Sequence, residues 1–173
     1  LQRYQDGERS FEKKNLSKAN LRGVRLAGAN LQEANLKQAN LSEADLSEAE
    51  LCLAAFDGAK LVGANLNKTN LHRTNFRKTK LTRATFSGAN FSQTNFAEAD
   101  LSGLTLRGDL TGTYFYQSNL SGADLRGVDL SGVALEIELH PLLQKVRRKR
   151  IIRNAVYNRR NEMILKLLEK YQG

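Results

Sequence analysis

The sequence predicts an all-β solenoid, a four-sided coil of about six and a half turns, followed by a helical C-terminal segment. Three observations carry that expectation. Leu or Phe recurs at every fifth position from Phe11 to Leu106, twenty units in unbroken phase. Six further units follow one residue out of step, at Leu110, Phe115, Leu120, Leu125, Leu130 and Leu135. The residue two places before each is usually Ala or Thr, as at Ala19, Ala29, Ala64 and Thr69.

A period of five excludes the ordinary elements. In an α-helix five residues advance about 500°, a net 140°, so the apolar residues would scatter around the cylinder. In a strand a step of five flips each one to the opposite face. A chain that bends through about a right angle every five residues buries them all, because each points from one side of a square toward a common axis. The residue two places earlier also points inward near the corner, where only small groups fit. The other three positions, filled with Asn, Ser, Asp, Glu, Lys, Arg, Gln and Gly, are expected to face water. Gly at the second position after the apolar residue (Gly58, Gly63, Gly88, Gly103, Gly122, Gly127) suits a corner with positive φ.

Four sides make a coil of twenty residues, and neighbouring coils stack at roughly 4.8 Å, which predicts a rod on the order of 30 Å long. The sequence contains a test of the four sides: Phe56, Phe76 and Phe96 lie twenty apart and form one core column, which Phe115 extends after the slip. The slip, Arg107-Gly108-Asp109, reads as a tightened corner within the solenoid, and Leu104 in a small-residue slot predicts local distortion beside it.

The chain thus divides into a lead-in (1–10), the repeat (11–137) and a tail (138–173). In the tail Pro141 fits a first helical position. Leu142, Leu143, Val146, then Ile151, Ile152, Ala155, Val156, then Met163, Ile164, Leu167, Leu168 and Tyr171 recur at helical spacing. Asn158 to Asn161 can divide them into two helices. The polar face carries Lys145, Arg147, Arg148, Lys149, Arg150, Arg153, Arg159 and Arg160.

The run Ala29-Asn30-Leu31, Ala34-Asn35-Leu36, Ala39-Asn40-Leu41, Ala44-Asp45-Leu46 resembles the pentapeptide repeat family, and the likeness extends over residues 11–135. The lead-in Arg3-Tyr4-Gln5-Asp6-Gly7-Glu8-Arg9 is similar to the opening of many cyanobacterial members. The resemblance implies a right-handed quadrilateral β-helix. It further implies a protein that works through protein contacts, as members that regulate cyanobacterial differentiation or signalling do. It also implies two alternatives: a DNA mimic that modulates DNA gyrase or another type II topoisomerase, and a homodimer formed through C-terminal helices.

Charge bears on these. The net charge of +9 is uneven: residues 11–137 hold 15 basic and 13 acidic side chains, and residues 138–173 hold 10 and 3. A nearly neutral rod does not suit DNA mimicry, which needs a strongly acidic surface. Three roles are open to the tail: an end cap, a protein or dimer interface, and attachment to nucleic acid or an anionic membrane.

On the rod, residues twenty apart are vertical neighbours. Lys37, Asp57 and Arg77 form a column of alternating sign, Glu48 lies beside Lys68, and Lys78 beside Glu98. A basic belt (Lys60, Lys68, Arg73, Arg77, Lys78, Lys80, Arg83) stands over a more acidic stretch (Glu43, Asp45, Glu48, Glu50, Asp57). This reads either as charge compensation between coils or as an anion-binding belt, with Lys60 over Lys80 as an uncompensated pair. The columns Asn20/Asn40, Asn70/Asn90 and Asn75/Asn95 read as stacked structural amides rather than a ligand array.

Only two histidines occur, His72 and His140, so neither a Ser-His-Asp constellation nor a histidine metal cluster is expected. There is no phosphate loop and no CxxC, and the carboxylates sit at regular exposed positions. The expectation is no enzyme, no cofactor and no small-molecule substrate. The single Cys52 is an outward residue and allows no internal disulfide. No apolar run approaches the length of a membrane span. Leu1 leaves room for a removed N-terminal segment, and the default setting is the cytoplasm.

Overall fold

The computed structural model describes residues 7–125 together with Val128 and Val133. Over this span one motif recurs: an extended residue, a β-turn, and a parallel bridge to the coil above or below. Ser10, Asn30, Glu50, Asn70 and Asn90 are bridged in succession, so twenty residues close one coil. Parallel series begin at Asn15, Asn20 and Arg25, one for each further side. The first face is centred on Phe11, Leu31, Leu51, Leu71, Phe91 and Leu110. The second follows Leu16, Leu36, Phe56, Phe76, Phe96 and Phe115. The third holds Leu21, Leu41, Leu61, Leu81, Leu101 and Leu120, and the fourth Leu26, Leu46, Leu66, Phe86, Leu106 and Leu125. Leu31, Leu36, Leu41 and Leu46 occupy four successive sides and are fully buried.

The corner shows how five residues make one side. The Ala34 amide donates to Leu31 O at 3.0 Å, closing a turn whose third residue, Glu33, has φ 55°. The Glu33 amide donates in turn to Cys52 O of the next coil at 3.0 Å. A left-handed residue follows every inward residue by two places from Lys13 to Gly103. Glycine is therefore not required there, and Lys, Arg, Glu, Gln and Leu53 hold the same conformation. Each such residue with a Cβ costs about 1–2 kcal/mol locally, and the coil-to-coil amide bond offsets that cost. Two of the three positions expected to face water are only half-exposed in the middle coils, as at Asn30 and Gln32 or Asn40 and Ser42. They flank the inward residue on the flat of each side, where adjacent coils press together.

Phenylalanine fills the axis. Rings of Phe56 and Phe76, Phe76 and Phe96, and Phe96 and Phe115 stack at 4.9, 5.3 and 5.6 Å between centroids. Beneath that column the small slot is threonine. Thr74, Thr94 and Thr113 hydroxyls donate to Leu51 O, Leu71 O and Phe91 O at 2.7, 2.8 and 3.0 Å, tying each turn to the coil before it. Phe86, Phe91 and Phe96 occupy three consecutive sides of one coil with tilted rings 5.4 and 6.1 Å apart.

The phase slip shortens one coil to nineteen residues: Lys80 bridges Asp100, but Asn95 bridges Tyr114 and Asp100 bridges Asn119. Gly108 lies at φ 124°, and a Cβ there would meet Ala89 O at 3.0 Å, so the corner is tight because the backbone presses on the coil below. Leu104 is buried and its amide still closes the turn on Leu101 O at 3.2 Å. The distortion surrounds it: among the described residues, Thr85 and Asn90 bridge back to Asn65 and Asn70 but not forward. At the N-terminal end Phe11, Leu16 and Leu21 are only partly buried, and Lys14 stands exposed in a small-residue slot. The tail helices expected over 138–173, and most of the lead-in, lie outside the described residues.

Two substitutions test the corner. Gly108→Ala should destabilise the rod by about 1–3 kcal/mol through strain and the Ala89 contact. Leu53→Gly, at an exposed left-handed corner (φ 61°), should stabilise it by about 0.5–1 kcal/mol. Chemical denaturation of both variants checks the opposite signs; equal signs would refute this account of the turn.

Candidate interaction surface

The surface is built from three residues per side, and the one before each inward residue sets its character. Asparagine or aspartate there accepts the amide two residues on: Asn30 Oδ1 from Gln32 N at 3.0 Å, Asn65 Oδ1 from Asn67 N at 3.1 Å, and Asp45 Oδ1 from Ser47 N at 3.1 Å. This side-chain turn is the local reason for the Ala-Asn/Asp-Leu pattern. The amides also reach between coils, Asn35 to Asn15 at 3.2 Å and Asn65 to Asp45 at 3.0 Å. The expected stacks are weaker at Asn20/Asn40 and Asn70/Asn90, where the separation is 3.5 Å. Asn75 turns away from Asn95 and donates to Asp57 at 3.2 Å.

Many rod charges are matched across coils. Lys68 pairs with Glu48 at 3.0 Å, Lys37 with Asp57 at 4.0 Å, Lys78 with Glu98 at 3.4 Å and Arg22 with Glu43 at 3.0 Å. The alternating column through Asp57 stops one residue short of expectation. Arg77 does not pair with Asp57; its Nη2 and Nε lie 2.5 and 2.9 Å from Glu98 Oε1. The guanidinium reaches diagonally to the corner of the next coil, where two of its N–H groups converge on one oxygen. That contact, ahead of the Lys78 charge, holds the Glu98 carboxyl below its ordinary value.

The expected belt therefore separates into two groups. Lys68, Arg77 and Lys78 are paired with carboxylates, and Arg73 Nε donates to Gln93 Oε1 at 2.7 Å. Lys60, Lys80 and Arg83 are exposed, and none has an ion-pair partner among the described residues. They share the third face, while the paired members lie on the others. Such exposed pairs contribute about 1 kcal/mol or less each. Of the core column, Phe56, Phe76, Phe96 and Phe115 are brought together as expected. The tail candidates Arg147, Arg148, Lys149, Arg150, Arg153, Arg159 and Arg160 lie outside the described residues.

His72 is half-buried, with Nδ1 2.8 Å from Ser92 Oγ of the next coil. Cys52 is half-buried one coil before it on the same face. Among the described residues no group of acidic, Cys and His side chains is arranged to hold a metal ion, and no helix is long and apolar enough to cross a membrane. Two surface features had no warning in the twenty-residue register. Arg107 pairs with Asp124 at 2.7 Å, a spacing of seventeen that only the short coil permits. Tyr114 and Tyr116 stack at 6.1 Å on the second face, as side chains two apart on an extended segment can. Their signal was the Tyr-Phe-Tyr run, outward residues flanking an inward one.

Comparison with known proteins follows the same boundaries. A pentapeptide repeat region is matched over residues 29–106, and eight-copy pentapeptide repeats over residues 109–136, so the two matches meet at the short coil. No curated protein matches the chain. The pentapeptide repeat protein Rfr23 from the cyanobacterium Cyanothece 51142 is similar in structure, with TM-score 0.56 and 23% identity, over 77% of this chain and 95% of that one. HetL, involved in heterocyst differentiation regulation in Nostoc sp. strain PCC 7120, aligns with TM-score 0.32 and 25% identity over 69% and 65%. QnrB1, a plasmid-mediated fluoroquinolone resistance protein, aligns with TM-score 0.41 and 18% identity over 72% and 73%. The first of these supports the fold.

The turn chemistry has a pH signature. Bonds from the Ser47 hydroxyl, and then from the Ser47 amide and Asn65, outweigh burial and hold the Asp45 carboxyl below its ordinary 3.8. A carboxylate with a lowered folded value contributes stability that is present above about pH 4 and is lost as pH falls through that lower value. Asp45→Asn keeps the turn acceptor and should leave stability at pH 7 nearly unchanged while flattening the acid limb. Thermal melts of both proteins between about pH 2 and 7 read this; an unaltered acid limb would contradict it.

Proposed function

The chain belongs to the pentapeptide repeat family, and from that premise we propose that it is a non-enzymatic protein-interaction scaffold with a regulatory role. One observation carries the reading: the rod is solid. Leu and Phe occupy its axis from Leu26 to Phe115 with almost no exposure, so a ligand engages the chain from outside. The outside is a set of flat faces whose residues recur at fixed intervals, most of them bridged to the coils on both sides. Such a surface is ordered before it binds and loses little conformational entropy in the complex. Large, shallow and preordered faces suit a macromolecule better than a small substrate. The tail is proposed as a second contributor, either covering the last coil, pairing with a second copy, or lending its basic residues to an anionic surface.

Modulation of a type II topoisomerase by imitating duplex DNA is the competing reading. It requires a dense negative surface, and this rod carries 15 basic against 13 acidic side chains over residues 11–137. The three unmatched cations of the third face further weaken it.

Affinity capture from the source cell, with the intact chain and a chain ending after Leu135, tests the scaffold reading. The same partner retained on both baits is expected if the rod supplies the contact, and loss from the shorter one assigns it to the tail. Failure of both baits to retain any partner would reject the proposal. In a gyrase supercoiling assay the expected result is neither inhibition nor protection from a quinolone; either effect would restore the competing reading.

A further inference from the structure

We propose that the third face, where it passes Leu61 and Leu81, docks an acidic segment of a protein partner, with Lys60, Lys80 and Arg83 as its charged contacts. This rests on the scaffold reading and supplies the partner's chemistry. Three observations support it.

The first is the failure of compensation within the basic belt. Around the middle coils the other belt cations meet a carboxylate or amide from a neighbouring coil, as Lys68 meets Glu48 and Arg73 meets Gln93. On the third face Asp100 is bridged to Lys80 through the backbone, yet its carboxylate accepts from the Ser102 amide at 3.1 Å and from Asn119 at 3.0 Å. Glu43, the acid one coil below, is held by Arg22. Among the described residues no acid forms an ion pair with any of the three cations.

The second is that the chain forgoes stability to keep them. Asn40 and Asp100 stand in the same column as Lys60 and Lys80, and each caps its turn by accepting the amide two residues on. A lysine ammonium accepts nothing, so two successive turns go without that bond. Lys60 and Lys80 are also directly bridged, and like charges opposite one another on paired strands destabilise them. Local rules broken in succession, with no gain inside the fold, mark a surface selected for a contact.

The third is shape. The neighbouring column on this face is Ser42, Val62, Thr82 and Ser102, all short, and Arg83 stands on its corner between Gly63 and Gly103. Nothing long shields the cations, and an extended segment can lie across them. A short acidic segment fits better than duplex DNA. The charged patch spans two coils, and Asp57 and Glu98 on the adjoining second face would meet the phosphates of a longer polyanion.

The probe is a short fluorescent poly-glutamate peptide, added to the whole chain at low salt. Zero-length carbodiimide cross-linking followed by peptide mapping should join it to Lys60 and Lys80 in preference to Lys13, Lys18, Lys37 and Lys68. Anisotropy titration should show Lys60→Asn with Lys80→Asn weakening binding about tenfold, while Lys13→Asn with Lys68→Asn, an equal charge change elsewhere, stays within about twofold. The first variant should also melt several degrees higher, because Asn restores the turn bond and removes the repulsion. Equal weakening by both variants, no preference for Lys60 and Lys80 among the rod lysines cross-linked, or no binding would overturn the inference. So would a short DNA duplex that displaces the peptide and is itself lost in the Lys60/Lys80 variant. A cellular partner retained undiminished by that variant would end this inference and leave the scaffold reading standing; retention of no partner by any bait would end the scaffold reading itself.

Discussion

The left-handed residue two places after each inward Leu or Phe is the constraint on which the rod depends. It turns the chain through a corner, and its amide is spent on a carbonyl of the next coil, as Glu33 on Cys52 and Glu43 on Val62. Turn and stacking are therefore one interaction. An isolated quintet would have no reason to adopt a conformation unfavourable for a residue with a Cβ. Within the stack the alternative is an orphaned backbone donor between two coils, and that is the greater cost. The composition of the repeat follows. Ala or Thr lies where the corner folds against the axis, and Asn or Asp stands where its oxygen can take the next free amide. A large apolar group occupies the centre of each side.

The same register makes surface chemistry a property of stacking. Because twenty residues return the chain to the same side, a charge acquires neighbours from sequence positions about twenty away, and ion pairs such as Lys68–Glu48 arise across coils. Each pair is weak, and the rod gains from them mainly local order. Where pairing is withheld within the belt, at Lys60, Lys80 and Arg83, the unpaired cations share the third face. The threonines beneath the phenylalanine column belong to the same logic: Thr94 bonds the carbonyl that closes the turn of the coil below, so a wide aromatic side and a tight corner are fastened together.

The short coil shows how much irregularity the design absorbs. Removing one residue moves the register from twenty to nineteen, yet Phe115 still stacks on Phe96 and Thr113 still bonds Phe91 O. The disturbance runs from the fourth face through the corner at Gly108, where the backbone closes on Ala89 O, onto the first face at Asn90. Among the described residues, Thr85 and Asn90 lose their forward bridges there.

The five-residue period by itself determined the four-sided coil, its inward set, the small slots and the phenylalanine column, because no other backbone path buries residues at that spacing. The pairs twenty apart at Lys68–Glu48 and Lys78–Glu98 were likewise legible, since stacking fixes Cα positions. The sequence could not determine where long side chains end. Arg77 passes over Asp57 to Glu98, Asn75 leaves its column for Asp57, and Asp100 turns to Ser102 and Asn119 and not to Lys80. These choices depend on competition among donors within a few ångströms, which spacing along the chain does not encode. Tertiary structure alone therefore decided which members of a seven-residue basic belt find a partner across coils and which three have no ion pair among the described residues.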